Sequence, residues 1–261
     1  MIGNSFAALL RSTLFGSLCL ATGVLLQAAE FDQEHESLSR ILQTYVKDGL
    51  VEYPALKTRR QSLDQYLVEV ASVAEPEFKR WTEPQQLAFL INAYNAYTLQ
   101  LIIDHYPVKS IKEIGSFFKG PWDQPAVRLF GRILTLNNLE HDIIRVDYPD
   151  PRIHFALVCA ARGCPPLRDE AYLAERLEKQ LDDQARQFLA TLAKNRVDAG
   201  TRRVYLSSIF KWYGADFEKK HGSVLAALQP YWPKESAPAL GQGRFKIRYT
   251  DYDWSLNQSN R

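Results

Sequence analysis

The sequence predicts an α+β fold, a helix-rich single domain with a small, mainly antiparallel sheet. Three observations lead there. Apolar residues recur at helical spacing through most of the chain, runs of strand length are short and scattered, and no internal repeat or low-complexity linker divides the 261 residues. With 46% hydrophobic residues, 13 Gly and 13 Pro, disordered, collagen-like and coiled-coil classes drop out. Lys and Arg number 32 against 30 Asp and Glu, so a net charge of +2 offers no strong field for nucleic acid or an anionic membrane.

Residues 1–29 stand apart. Arg11 is their one charge, an apolar run from 13 to 26 follows it, and Ala28 and Ala29 precede the acidic Glu30, Asp32, Glu34 and Glu36. This is the layout of a secretory signal peptide, and the run is shorter than the roughly 20 residues a membrane span needs. The expectation is cleavage near Ala29, a periplasmic or secreted protein, and no stable membrane span after cleavage. The alternative is an uncleaved anchor, because Gln27 stands where a small residue is favoured.

Leu38, Ile41, Leu42 and Tyr45 mark a first helix, and Leu63, Tyr66, Leu67 and Val70 a second over 62–74. Thr82, Glu83 and Pro84 then supply a cap and a first-turn proline for a helix whose stretch 87–103 has hardly a polar face, so it should be central and buried. Its exceptions, Asn92 and Asn95, share one side and must be bonded, either tying down a neighbouring loop or orienting a catalytic group or substrate.

After Pro107 the chain turns irregular, then 127–130 and 133–136 flank Gly131-Arg132 as a hairpin. A short helix follows, capped by Asn137 or Asn138, with Leu139, Ile143 and Ile144 as its buried stripe and Glu140 and His141 near its first turn. Residues 153–158, IHFALV, read as a strand running into the turn-rich CAARGCPPL. Helices are expected over 170–192, 209–219 and 223–228, with strands at 203–206 and 245–249.

Chemistry concentrates around two cysteines in one hexapeptide, Cys159 and Cys164. In an oxidising compartment they are disulfide candidates; alternatively Cys159 is a nucleophile needing an imidazole within reach. A straight strand would hold His154 roughly 17 Å from Cys159 and on the opposite face, so the backbone must bend for them to meet. His141 is the other candidate base. A metal site of His141, His154, Cys159 and Cys164 lacks supporting spacing, and no metal or other cofactor is expected. G-x-S-x-G, Walker A and G-x-G-x-x-G motifs are absent. His35, His105 and His221 read as solvated or helix-end groups, the run Phe210, Trp212, Tyr213, Phe217 as core, and Lys211 and Asp216 as rim charges or a buried pair.

Several segments together, NAYNAYTL at 92–99, YPVKSI at 106–111, GPWD at 120–123, LNNLEHDIIR at 136–145, DPRIHFALVCAARGCPPL from 150, IFKWYGADF at 209–217 and YDWSLN at 252–257, resemble the DUF547 family. The resemblance implies a DUF547-like domain over 81–257 behind a helical lead-in at 30–80, as an exported bacterial version of a domain also found in larger eukaryotic proteins. It implies no reaction. Its motifs place Asn92, Asn95, Glu140, His141, His154, Cys159, Lys211, Tyr213 and Asp253 amid apolar sequence, and such polar groups are expected to converge on one pocket.

The first functional expectation is therefore a thiol-dependent hydrolase or transferase of acyl or amide bonds on a small-molecule or peptide-like substrate. Cys159 would be its nucleophile, His141 or His154 its base, and Glu140 or Asp253 the orienting carboxylate. Asn92 and Asn95 would line the site or donate to an oxyanion, beside Lys211 and Tyr213. The alternative is a non-enzymatic exported binding domain whose Cys159–Cys164 disulfide pins a recognition loop. A thiol-redox pair is a third reading.

Overall fold

The computed structural model describes residues 30–234 and 245–259, so the leader-like segment lies outside the described residues. The lead-in comprises α1 (Glu36–Tyr45), a hairpin of β1 (Val46–Lys47) and β2 (Leu50–Val51), α2 (Tyr53–Thr58), α3 (Gln61–Ser72) and α4 (Glu75–Phe78). The apolar stripes expected of α1 and α3 are buried. His35, expected as a solvated or helix-end group, stands at the N-terminal end of α1 but is only 1% exposed. Its Nδ1 meets the Tyr66 hydroxyl at 2.9 Å, and burial lowers its pKa to about 4.

These helices pack around α5 (Glu83–His105). The Thr82 N–H donates to Gln85 Oε1 at 2.9 Å as half of a capping box, and Pro84 occupies the first turn. Between Leu87 and Ile103 every residue except Gln100 is buried, as the apolar run requires. The hairpin of β3 (Val127–Leu129) and β4 (Arg132–Leu134) turns one residue early. Phe130 and Gly131 carry its positive φ values, 53° and 70°, which suit a two-residue turn, while the Phe130 ring packs 4.7 Å from Phe78.

A π-helical turn, Asn138–Ile144, leads into α6 (Arg145–Asp147) and α7 (Ile153–Ala156); then come α8 (Leu177–Leu189), β5 (Arg196–Asp198), β6 (Arg203–Leu206), α9 (Ile209–Trp212), α10 (Gly214–His221), α11 (Val224–Leu228) and β7 (Lys246–Tyr249). In the three-stranded sheet β6 is central, antiparallel to β5 and parallel to β7. The architecture is helix-rich α+β with small, mainly antiparallel sheets.

Three expected elements are corrected. The strand at 153–158 is a helical turn, α7, followed by extended Leu157 and Val158. Asp150 Oδ1 accepts the Arg152 N–H at 2.9 Å, and the Arg152 guanidinium gathers Asp150, Glu178 and Asp182, tying the entry of α7 to α8. The helix expected over 170–192 begins only at Leu177, because side chains claim the preceding backbone: Asn92 exchanges two hydrogen bonds with Tyr172, and Gln180 two with Ala171 and Leu173. The helix expected over 209–219 breaks at Tyr213 into α9 and α10.

Two apolar cores result. One surrounds α5; the other joins Phe155, Phe188, Phe210 and Phe217 with α11. Helix α7 lies on the seam, giving Ile153 and Ala156 to the first core and Phe155 to the second. Among the described residues no helix is long and apolar enough to cross a membrane.

Candidate functional site

The seam opens into a cleft of about 190 Å³ lined by Glu140, His141, His154, Cys159 and Cys164 together with Tyr94, Tyr213, Tyr252 and three tryptophans, Trp122, Trp212 and Trp254. A wider, open cleft of about 370 Å³ lies beyond the Arg145–Asp216 pair and contains neither sulfur nor imidazole.

Local folding places each group. Because α7 rises only about 1.5 Å per residue against about 3.3 Å in a strand, the helical steps from His154 to Ala156 shorten the path towards Cys159, before Leu157 and Val158 extend again. Asn95 fixes the bend that follows: its Nδ2 donates to the Ala156 carbonyl at 2.9 Å, and its Oδ1 accepts the Val158 N–H at 3.0 Å. Cys159 then enters a loop closed by a disulfide to Cys164, with Ala160 at φ 59°. The tail runs alongside this loop, the Arg162 and Gly163 N–H groups donating to Ser255 and Asp253 carbonyls. A Cβ on Gly163 would stand 2.8 Å from the Tyr252 ring, so glycine permits the ring to lie flat there. The Tyr252 hydroxyl consequently reaches both sulfurs, 3.1 Å from Cys159 and 3.0 Å from Cys164.

His154 is nearly sealed, and its Nε2 lies 2.7 Å from Asp216 Oδ2. Arg145 makes a two-pronged contact with the same carboxylate at 2.8 and 2.9 Å. The hydrogen bonds from His154 and Arg145, against the opposing effect of burial, hold the Asp216 carboxyl well below the usual carboxylate range. With Nε2–H donating to Asp216, the lone pair of neutral His154 resides on Nδ1. Tyr213 stacks on its ring at 4.0 Å between centroids.

His141 differs. Arg145 Nη1 lies 2.9 Å from its Nδ1, and a guanidinium can only donate, so Nδ1 is already an occupied acceptor beside a positive charge. Glu140 turns inward on the π-helical winding, which leaves Ile143 only half-buried instead of in the expected stripe. The Tyr94 hydroxyl donates to Glu140 Oε2 at 2.9 Å. Burial, then the Glu140 charge, pushes the Tyr94 and Tyr213 hydroxyls up; burial does the same to Tyr252, so all three remain proton donors.

The remaining candidates sit elsewhere. Asn92 and Asn95 spend their amides on the backbone of Tyr172 and of 156–158. Lys211 points to solvent from α9 while its neighbours Trp212 and Tyr213 line the cleft, and exposed Asp253 turns back to accept from Ser255. Neither expected orienting carboxylate contacts an imidazole; Asp216 does, and it pairs with Arg145 rather than Lys211. Among the described residues no three His, Cys, Asp or Glu side chains stand grouped to hold a metal. Asp216, Arg145, Tyr94, Tyr252 and the tryptophans were not singled out as site residues. GPWD, IFKWYGADF and YDWSLN contain the three tryptophans, Asp216 and Tyr252, but aromatic residues at helical spacing look like core.

No curated protein and no solved structure matches the chain. Residues 78–189 match the model of a family described as "Protein of unknown function, DUF547". That segment supplies Glu140, His141, His154 and both cysteines, whereas Asp216, Tyr252, Trp212 and Trp254 lie beyond it. Over residues 78–189 the chain is thus similar to the DUF547 family, whose function is unknown.

Proposed function

We propose that the protein is an exported, thiol-dependent enzyme that hydrolyses or transfers acyl or amide groups, with Cys159 as nucleophile and His154 as base. The carrying observation is that the Cys159 sulfur and a histidine oriented by Asp216 line one cleft. The leader-like layout of residues 1–29 supports export.

In this reading the disulfide is the resting form. A dithiol reductant opens it, delivering two electrons and two protons to Cys159 and Cys164 while its own thiols join as a disulfide. Cys159 passes its proton to His154 Nδ1 and attacks the substrate carbonyl carbon. The leaving amine or alcohol departs with that proton, and the resulting thioester is resolved by water or a second amine. The Tyr252 hydroxyl is placed to donate to the developing oxyanion. His154 is preferred over His141 because its Nε2–H is held by Asp216 and its Nδ1 lone pair is left for a proton, whereas Nδ1 of His141 already accepts from Arg145.

The test uses 4-nitrophenyl acetate and intact mass. Reduced wild type and Cys164→Ser should each gain one acetyl group on Cys159 and release 4-nitrophenolate; the oxidised protein and His154→Asn should not. A second reading, a binding domain with a pinned loop, draws on the Tyr252 hydroxyl touching both sulfurs and on the tail bonded along the loop. Folded, reduced protein that takes up no acetyl group at Cys159 would leave that reading standing instead.

A further inference from the structure

We propose that the cleft recognises an alkylated ammonium group, carried by the substrate. The word substrate rests on the reading above; the binding itself does not.

Glu140 is 6% exposed, faces the cleft, and accepts from the Tyr94 hydroxyl. Among the described residues no lysine, arginine or histidine forms an ion pair with it. Arg145, whose charge is felt at Glu140, spends its guanidinium on Asp216 and His141. A carboxylate buried with only neutral donors is costly, and a cation entering the cleft removes that cost. Asp216 does not add to the demand, being neutralised by Arg145.

The walls suit the same ligand. Trp122, Trp212, Tyr213, Tyr252 and Trp254 surround the opening, with Trp212 and Trp254 stacked at 5.7 Å and Tyr252 and Trp254 4.5 Å apart. Aromatic faces attract cations, and most strongly those whose charge is spread over methyl or methylene groups that shed water easily. Trp254 already holds one: Lys112 Nζ lies 3.7 Å from its ring centroid. A cavity of about 190 Å³ admits a small head group rather than a polymer segment. Neutral sugars also stack on tryptophan, but they bring no cation to pair with the Glu140 carboxyl group.

The probe is choline, titrated into the disulfide form of the protein by calorimetry and tryptophan fluorescence, against its uncharged isostere 3,3-dimethylbutan-1-ol. Choline should bind saturably and about tenfold or more tighter than the alcohol. Glu140→Gln, which keeps the Tyr94 hydrogen bond, should lose at least about tenfold, and Trp212→Ala, on the exposed rim, should weaken binding with no change in folding. Equal affinity for choline and the alcohol, no saturable choline binding by folded protein, or wild-type affinity in Glu140→Gln would overturn the proposal. Cys159 cannot react in the disulfide form, so this result and the acetylation result fail independently.

Discussion

Asn95 uses both ends of one amide to hold the backbone between the imidazole and the sulfur. Asn92 does the same for Tyr172, and neither residue lines the cleft. Replacing either asparagine by Ala strands a buried carbonyl and a buried N–H, at roughly 2–4 kcal/mol. Urea unfolding should register similar losses for both, whereas acetylation of Cys159 should slow only in Asn95→Ala; equal effects on acetylation would deny Asn95 its positioning role. His35 carries a pH prediction. Its folded pKa of about 4 lies below the usual 6.5, since burial outweighs the nearby Asp32 charge, so between those values the unfolded chain binds more protons. Stability should therefore fall as pH drops from 6.5 towards 4, by roughly 3 kcal/mol in all, and His35→Gln should flatten that window. Denaturant midpoints across pH 4 to 7 measure it. The burial of His35 was not legible because its partner, Tyr66, is 31 residues away, and acidic neighbours made the position look solvated. Asp216 was seen only as a charge beside aromatic residues; its partnership with His154 spans 62 residues.

At the scale of elements, legibility followed length and contrast. Helix α5 was readable because its cap, proline and apolar run agree. Helix α7 was not, since a six-residue stretch with five apolar residues suits a strand as well as a buried helical turn, and what decides is the Arg152 network anchored on α8. The start of α8 was misplaced because Asn92 and Gln180, distant or later in the chain, compete for the backbone of 171–173. The π-helical winding that turns Glu140 inward leaves no mark in a 3.6-residue pattern. The loop and tail offer a sharp test. In Gly163→Ala the added methyl meets the Tyr252 ring, which must shift and draw its hydroxyl off the sulfurs. The expected result is a loss of roughly 1–3 kcal/mol in unfolding free energy, with slower acetylation of Cys159 and an altered near-ultraviolet dichroism. Wild-type behaviour on all three counts would mean that the tail does not position the site.

The described residues form two apolar cores meeting along α7, and the cleft is lined from both. Such seams gather polar groups from segments far apart in sequence: Glu140 and His141 from the π-helical turn, His154 from α7, the sulfurs from the loop, Asp216 from α10 and Tyr252 from the tail. The helix-rich α+β class was legible from composition and periodicity; of the polar groups expected to converge, Glu140, His141, His154, Cys159 and Tyr213 line the cleft, whereas Asn92, Asn95, Lys211 and Asp253 do not. The partner of each group was not legible, because pairing across a seam depends on how two cores pack. One measurement bears most directly on whether the seam creates a nucleophile: the rate of Cys159 alkylation by iodoacetamide against pH, in Cys164→Ser protein with and without His154→Asn or Asp216→Asn. The expected result is a rate that reaches its plateau below the pH where an ordinary thiol ionises, with that advantage lost in His154→Asn and reduced in Asp216→Asn. A profile matching a simple thiol, unchanged by either substitution, would contradict it.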